Sequence, residues 1–128
     1  MLYRVHTKKN LEEVGKALEA AAQRHKFGFL GVHDLKAKMQ EKGVEFDRVC
    51  RVYEVCNPQQ AKKVLEARME ISAALPCRIS VYAEGDGLTL ATLRPTALLS
   101  MFEVPGLQPV AEEVEENLLA MMNEAAEL

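Results

Sequence analysis

Cysteine is scarce in this chain: Cys50, Cys56 and Cys77 are the only three, at irregular spacing. An odd number without a framework spacing excludes the disulfide scaffold of a small secreted domain and points to thiols in a reducing compartment. No run approaches the ~20 consecutive apolar residues of a membrane span. The start, Met1-Leu2-Tyr3-Arg4-Val5-His6, lacks the apolar core and small-residue cleavage site of a secretory signal. The expectation is a cytoplasmic protein with no membrane partner. Basic residues stop at Arg94: residues 95–128 hold seven Glu and no Lys or Arg. The bases before that point, such as Lys8, Lys16, Lys26 and Lys36, are scattered. A nucleic-acid partner, which wants a concentrated basic face, is not expected. Glu112, Glu113, Glu115 and Glu116 are expected in the first turns of a last helix, where its dipole favours negative charge.

Several chemical signatures are missing as well. Gly28 and Gly31 make no dinucleotide fingerprint, and Gly85-Asp86-Gly87 reads as a hairpin turn, not a phosphate cradle. There is no Walker sequence, no GxSxG elbow and no HExxH. Neither a CxxC nor an HxxxH spacing supports a metal site, so no metal is expected, and the residues name no cofactor.

What is present is globular. The 128 residues are 48% hydrophobic and 27% charged, enough for one domain with one real core over residues 1–128. Leu2 to His6 reads as a strand. Asn10-Leu11-Glu12-Glu13 then has the form of a capping box, and Leu11, Val14, Leu18, Ala21, Ala22 and His25 follow at helical spacing. Phe27 to His33 reads as a second strand whose glycines mark a bulge or a close approach. Asp34 caps a short helix with Leu35 and Met39, ended by Gly43. Phe46 to Cys56 reads as the clearest strand, and Asn57-Pro58 stops it and opens a helix that buries Ala61, Val64 and Leu65. Cys77 to Glu84 alternates and returns as Leu88 to Leu93. After Arg94-Pro95 a short helix or turn precedes a long helix with the stripe Val114, Leu118, Met121, Met122 and Ala125. Met39, Met69, Met121 and Met122 read as core filler. This order predicts an α+β two-layer sandwich, with about five mainly antiparallel strands and long helices on one face. The sheet's other face is mixed, with Tyr82 and Val52 among Arg78, Glu54 and Ser80. Such a face on a small domain suits a ligand or a second subunit.

The segment Glu54-Val55-Cys56-Asn57-Pro58 carries the most local chemistry. Cys56 sits where a strand hands over to a helix N-terminus, a place that lowers a thiol's pKa. Cys77 begins the next strand beside Arg78. Cys50 and Cys56 are ~20 Å apart along one strand, too far for a disulfide. If two cysteines act together they are Cys56 and Cys77, as attacking and resolving thiols; the plainer reading makes both small buried hydrophobes. Glu54 is expected to pair with Arg78 across adjacent strands. His33, ending a strand before Asp34, is a further ligand-binding candidate with Glu54, Asn57, Arg78 and Tyr82, while His6 and His25 read as surface or helix-face residues.

Taken together, Glu54-x-Cys56-Asn57-Pro58-x-x-Ala61-x-x-x-Leu65 and Leu75-Pro76-Cys77-Arg78-x-x-Val81-Tyr82, with a strand pair closed by Pro95, resemble the bacterial and archaeal family called domain of unknown function 302. His33-Asp34-Leu35 and Lys42-Gly43-Val44 also suit it. The resemblance implies a fold of the TATA-binding-protein-like type, strand, helix, four strands and helix, and carries over no catalytic residue. A fold's name does not import DNA binding. The favoured expectation is a self-associating, homodimeric domain that binds a small molecule or protein through the sheet face or the groove near Cys56 and Cys77. A thiol-dependent redox protein is the alternative, and a metal carrier using Cys56, Cys77 and His33 a more distant one. Whether the chain is an enzyme stays open.

Overall fold

The structure is a computed structural model and describes residues 1–127. β1 (Leu2–Thr7), α1 (Leu11–Arg24), β2 (Gly28–Asp34), α2 (Leu35–Glu41), β3 (Cys50–Cys56) and α3 (Pro58–Ala67) follow one another. A 3-10 turn (Met69–Ala74) leads into β4 (Cys77–Glu84) and β5 (Gly87–Leu93), and α4 (Pro95–Ser100) and α5 (Gln108–Ala126) complete the chain. One sheet of order β1-β5-β4-β3-β2 results, and every neighbouring pair is antiparallel. The α+β sandwich read from the sequence is the architecture.

Period decides the layers. The stripe Val14, Leu18, Ala21 and Ala22 of α1 is buried together with Val114, Leu118, Met121, Met122 and Ala125 of α5. Both stripes lie against Tyr53, Val55, Ile79, Val81, Leu88 and Leu90, the residues that alternation turns to one side of the sheet. The capping box forms: Glu13 N donates to Asn10 Oδ1 at 2.9 Å, and Asn10 N donates to Glu13 Oε1 at 3.0 Å. At its far end α5 is closed by Lys9, whose Nζ donates to the Ala125 carbonyl at 3.1 Å. The opposite sheet face carries Arg4, Val52, Glu54, Arg78, Ser80 and Tyr82, and none of these joins a hydrophobic cluster.

A second, smaller cluster of Val64, Ile71, Leu99, Leu107 and Ala111 gathers α3, the 3-10 turn and α4 against the first turns of α5. Glu115 ties α4 down: its carboxylate accepts from Thr96 Oγ1 at 2.7 Å, Thr96 N at 3.1 Å and Arg94 Nη1 at 3.3 Å. Burial opposes its charge, but the Thr96 donors and Arg94 outweigh that and hold the carboxyl below its ordinary value.

Four expectations need correction. β3 starts at Cys50 instead of Phe46; the residues before it are held by isolated bonds, such as Ala83 N to the Val49 carbonyl, not by a ladder. α3 buries Gln60 and Val64, while Ala61 and Leu65 are half-buried. Met69 is no core filler; it lies 68% exposed on the 3-10 turn. The first turn of α5 is Gln108 to Ala111 and holds no acid. Glu112 and Glu113 therefore fall beyond the turn where the dipole acts, and Glu115 serves α4 instead.

His25, at the end of α1, bridges the two long helices. Its Nδ1 lies 2.8 Å from Asn117 Oδ1 and its Nε2 bonds Glu124, which also accepts from Arg24 Nη2 at 2.7 Å. The Glu124 bond, then Asn117, raises the His25 pKa above 6.5. The His25 bond, then Arg24, lowers that of Glu124 below 4.5. A raised histidine stabilises fully below its unfolded value and is lost as pH climbs through its folded one; a lowered carboxylate does the reverse at the acid side. Both contributions are complete between 4.5 and 6.5. The thermal unfolding midpoint, followed against pH, is expected to fall above that window, and His25→Gln should remove most of that alkaline fall. An unchanged profile in the variant would show that the bridge contributes nothing.

Candidate functional site

The site starts from a handover that the sequence enforces. Pro58 occupies the first turn of α3, where a missing N–H costs nothing. Asn57 caps the helix, its Oδ1 accepting from Gln59 N at 3.1 Å and Gln60 N at 3.2 Å. The chain therefore turns sharply at Cys56-Asn57 and leaves the sheet. In the neighbouring strand, Leu75-Pro76 delivers Cys77 opposite Val55. The end of β5 (Thr92, Leu93) and α4 (Pro95, Leu98, Leu99) complete a wall, and the open cavity they bound is about 260 Å³. Its lining draws Val55, Phe27 and Val114 from the main core and Val64 and Leu99 from the smaller one. The cavity is the gap where the two clusters do not meet.

Cys56, Asn57, Cys77 and Arg78 all line it, so the structure brings the two thiols to one place. They are free thiols. Burial raises the pKa of Cys56. Burial, with the neighbouring Cys56, pushes Cys77 up to about 11. The helix N–H groups that would stabilise a thiolate are taken by the Asn57 carboxamide. Both sulfurs are therefore protonated at neutral pH, and the redox reading finds no support in their surroundings.

Glu54, His33 and Tyr82 belong to the other sheet face and do not line the cavity. Glu54 Oε1 lies 2.9 Å from His33 Nε2 and Oε2 lies 3.5 Å from Arg78 Nε, so the expected Glu54–Arg78 pair forms with His33 added. The His33 bond first, and then the charges of His33 and Arg78, outweigh desolvation and hold the Glu54 carboxyl below its ordinary value. Lys38 Nζ sits 2.7 Å from His33 Nδ1. Every partner in this chain is already matched, which suits a structural ion network better than a reactive one. Tyr82 lies opposite Cys50 on β3 and Thr89 on β5, roughly 13 Å along β4 from Arg78. His33 pairs with Val52, roughly 13 Å along β3 from Cys56, and Cys77 pairs with Val55 on the core side, so the three do not converge on a metal. Among the described residues no group of three or more His, Cys, Asp or Glu is arranged to hold a metal ion.

Sequence reasoning passed over Gln60, Thr92 and Leu98 of the lining. Gln60 had a signal: it sits four residues before Val64 on one stripe of α3, a polar residue where an apolar one is expected. It is 9% exposed, and its Oε1 is buried without a hydrogen-bond partner. Thr92 gave none, since its Oγ1 donates at 2.7 Å to the Arg78 carbonyl, a contact set by strand register.

Three comparisons bear on this arrangement. The family model described as "Domain of unknown function DUF302" matches residues 3–125. A crystal structure of an uncharacterized conserved DUF302 protein from Bacillus stearothermophilus superposes with a TM-score of 0.91 at 31% identity, covering 97% of this chain and 97% of that one. No curated protein matches. No helix among the described residues is long and apolar enough to cross a membrane.

Proposed function

The chain belongs to the DUF302 family, and since that membership brings no catalytic residue with it, we propose from the site itself that this is a binding module for a small, largely apolar molecule. One observation carries the reading: a cavity of about 260 Å³ between two hydrophobic clusters, reached by a few convergent polar groups. Ligand pockets have this make-up, with apolar walls and a small number of polar groups that orient the guest. The volume is just under the ~300 Å³ at which drug-sized sites begin, so the guest is small. The protonated thiols act as apolar lining.

Ala61 lines the cavity from α3. A phenyl ring there would occupy on the order of the ~150 Å³ that holds a benzene, out of about 260 Å³. Ligand-observed NMR of the intact protein against small alkyl and aromatic fragments is expected to show binders. Ala61→Phe should weaken them at least about tenfold while the protein stays folded. Equal binding by wild type and variant would place the fragments elsewhere and end this reading.

Self-association through the uncovered sheet face is a second reading, supported by Leu2 and Leu93, paired across β1 and β5 and 50% and 45% exposed on that side. Sedimentation analysis should then show a dimer that Leu93→Lys dissociates; a monomer at every concentration would dismiss it. The cytoplasmic compartment belongs to the same reading and rests on the odd, unpaired cysteine count.

A further inference from the structure

Resting on the cavity reading above, we infer that the guest is a small amphipathic monocarboxylate. Its hydrocarbon body fills the cavity, and its carboxylate is received at the mouth by the Arg78 guanidinium and the Asn57 carboxamide Nδ2. Among the described residues that line the cavity, Arg78 has the only ionised side chain, and none is an acid. Arg78 follows Cys77 in β4 and keeps 66% of its side chain exposed, so its charge stands at the mouth and not in the depth. Its ion pair with Glu54 is long, Nε to Oε2 at 3.5 Å. A closed guanidinium–carboxylate fork brings its atoms to ~2.7–2.9 Å. Glu54 is instead held by His33, at 2.9 Å, which leaves the guanidinium open to a second carboxylate. Asn57 supplies another donor. Its Oδ1 accepts from Gln59 N and Gln60 N, which fixes the oxygen end of the carboxamide against α3 and leaves Nδ2 without an acceptor among the described residues.

Charge selects against the alternatives. A cationic guest would meet Arg78 with nothing negative in the lining to offset it, because burial keeps both thiols protonated, Cys77 with its pKa pushed up to about 11. A neutral guest makes the same apolar contacts but forgoes charge-assisted hydrogen bonds, which are roughly twice as strong as neutral ones. A dianion would bring two charges to a single cation that Glu54 already borders. One carboxylate matches one guanidinium. The open mouth keeps that charged head in contact with water, so only apolar atoms undergo the burial that is costly for an ion. Size sets the body. A dry apolar cavity of ~150 Å³ accommodates benzene, so about 260 Å³ accommodates roughly ten heavy atoms in proportion. A straight-chain acid of about eight carbons fits that room.

The test uses three eight-carbon chains of nearly equal size with the intact protein: octanoate, octanamide and octylammonium. Calorimetric titration at neutral pH and low salt is expected to give octanoate about tenfold tighter binding than octanamide, the size of one charge-assisted hydrogen bond. Octylammonium should bind most weakly, and added salt should weaken octanoate but not octanamide. Arg78→Gln, at an exposed position that should leave the fold intact, is expected to bring octanoate down to the level of octanamide and to change octanamide by less than about twofold. Arg78→Lys should retain part of the preference, as a point charge without the fork. Asn57→Asp keeps the capping acceptor of α3 but puts a negative oxygen where the donor was, so it too should cost octanoate about tenfold. Octanamide bound as tightly as octanoate, or octylammonium bound most tightly, overturns the carboxylate inference and leaves the cavity reading standing. Octanoate preference that survives Arg78→Gln or Asn57→Asp also overturns it, as does octanoate binding undiminished by Ala61→Phe. Failure of all three to bind the folded wild-type chain overturns the cavity reading on which it rests.

Discussion

Gly87→Ala is expected to destabilise the fold by about 3 kcal/mol or more, the upper end of what overpacking a filled site costs. A Cβ built on Gly87 would lie 2.1 Å from the Thr7 carbonyl oxygen and 3.1 Å from its carbon. Those are backbone atoms of β1, locked in register with β5 through Thr7 and Leu88, so no rotamer change relieves the clash. The strand must move, and β1 is a sheet edge that pairs with β5. Gly85→Ala makes the control. Gly85 has φ +61 but nothing within 4 Å of the added carbon. Its cost is the left-handed penalty alone, about 1–2 kcal/mol. Urea unfolding of both variants checks the contrast: a Gly87→Ala midpoint at or above that of Gly85→Ala would mean that the two strands are less tightly apposed than described.

Leu118→Ala should cost about 2–5 kcal/mol, the range for deleting a buried leucine side chain. Leu118 is fully buried, at the centre of the α5 stripe between α1 and the sheet. Nothing near it can fill the space, because Leu18, Met121 and Met122 are themselves packed at 0% exposure. Against a usual total of about 5–15 kcal/mol this is a large fraction. The melting temperature should fall on the order of 10 °C. Leu119→Ala, half-buried one residue on, supplies the comparison. A loss at Leu118 no greater than at Leu119 would mean that α5 presents a different face to the sheet.

Both predictions illustrate what could be read from residues in order. Leu118 was legible, because a stripe at helical spacing has only one face to bury. The Gly85-Asp86-Gly87 turn was legible too, but the division of labour inside it was not. Gly85 makes the turn, whereas Gly87 already belongs to β5 and is there for a close approach by β1, a strand eighty residues earlier. The bulge expected among the β2 glycines lies between Phe29 and Gly31. The four acids of α5 failed for a related reason: the helix begins a turn before them, and Glu115 found a partner on α4 that no local rule names.

The candidate site divides in the same way. Asn57-Pro58 announces a strand-to-helix handover in any context, and Cys56 and Cys77 flank it on adjacent strands. Sequence alone could not set the ionisation of those thiols. The helix N–H groups that favour a thiolate are local, but the burial that opposes it comes from α4, β5 and α5, and Asn57 claims the N–H groups first. Gln60 was visible only as a polar interruption in an apolar stripe. Its meaning depends on the room in front of it.

Order and type of the elements, their caps and their buried stripes were thus determined by the chain itself, since capping, period and alternation act over a few residues at a time. Strand order, the close contact at Gly87, the ion network on the open face and the gap between the two clusters were decided only by tertiary structure. Each depends on the distance between segments far apart in sequence, and packing of the whole chain is what sets those distances.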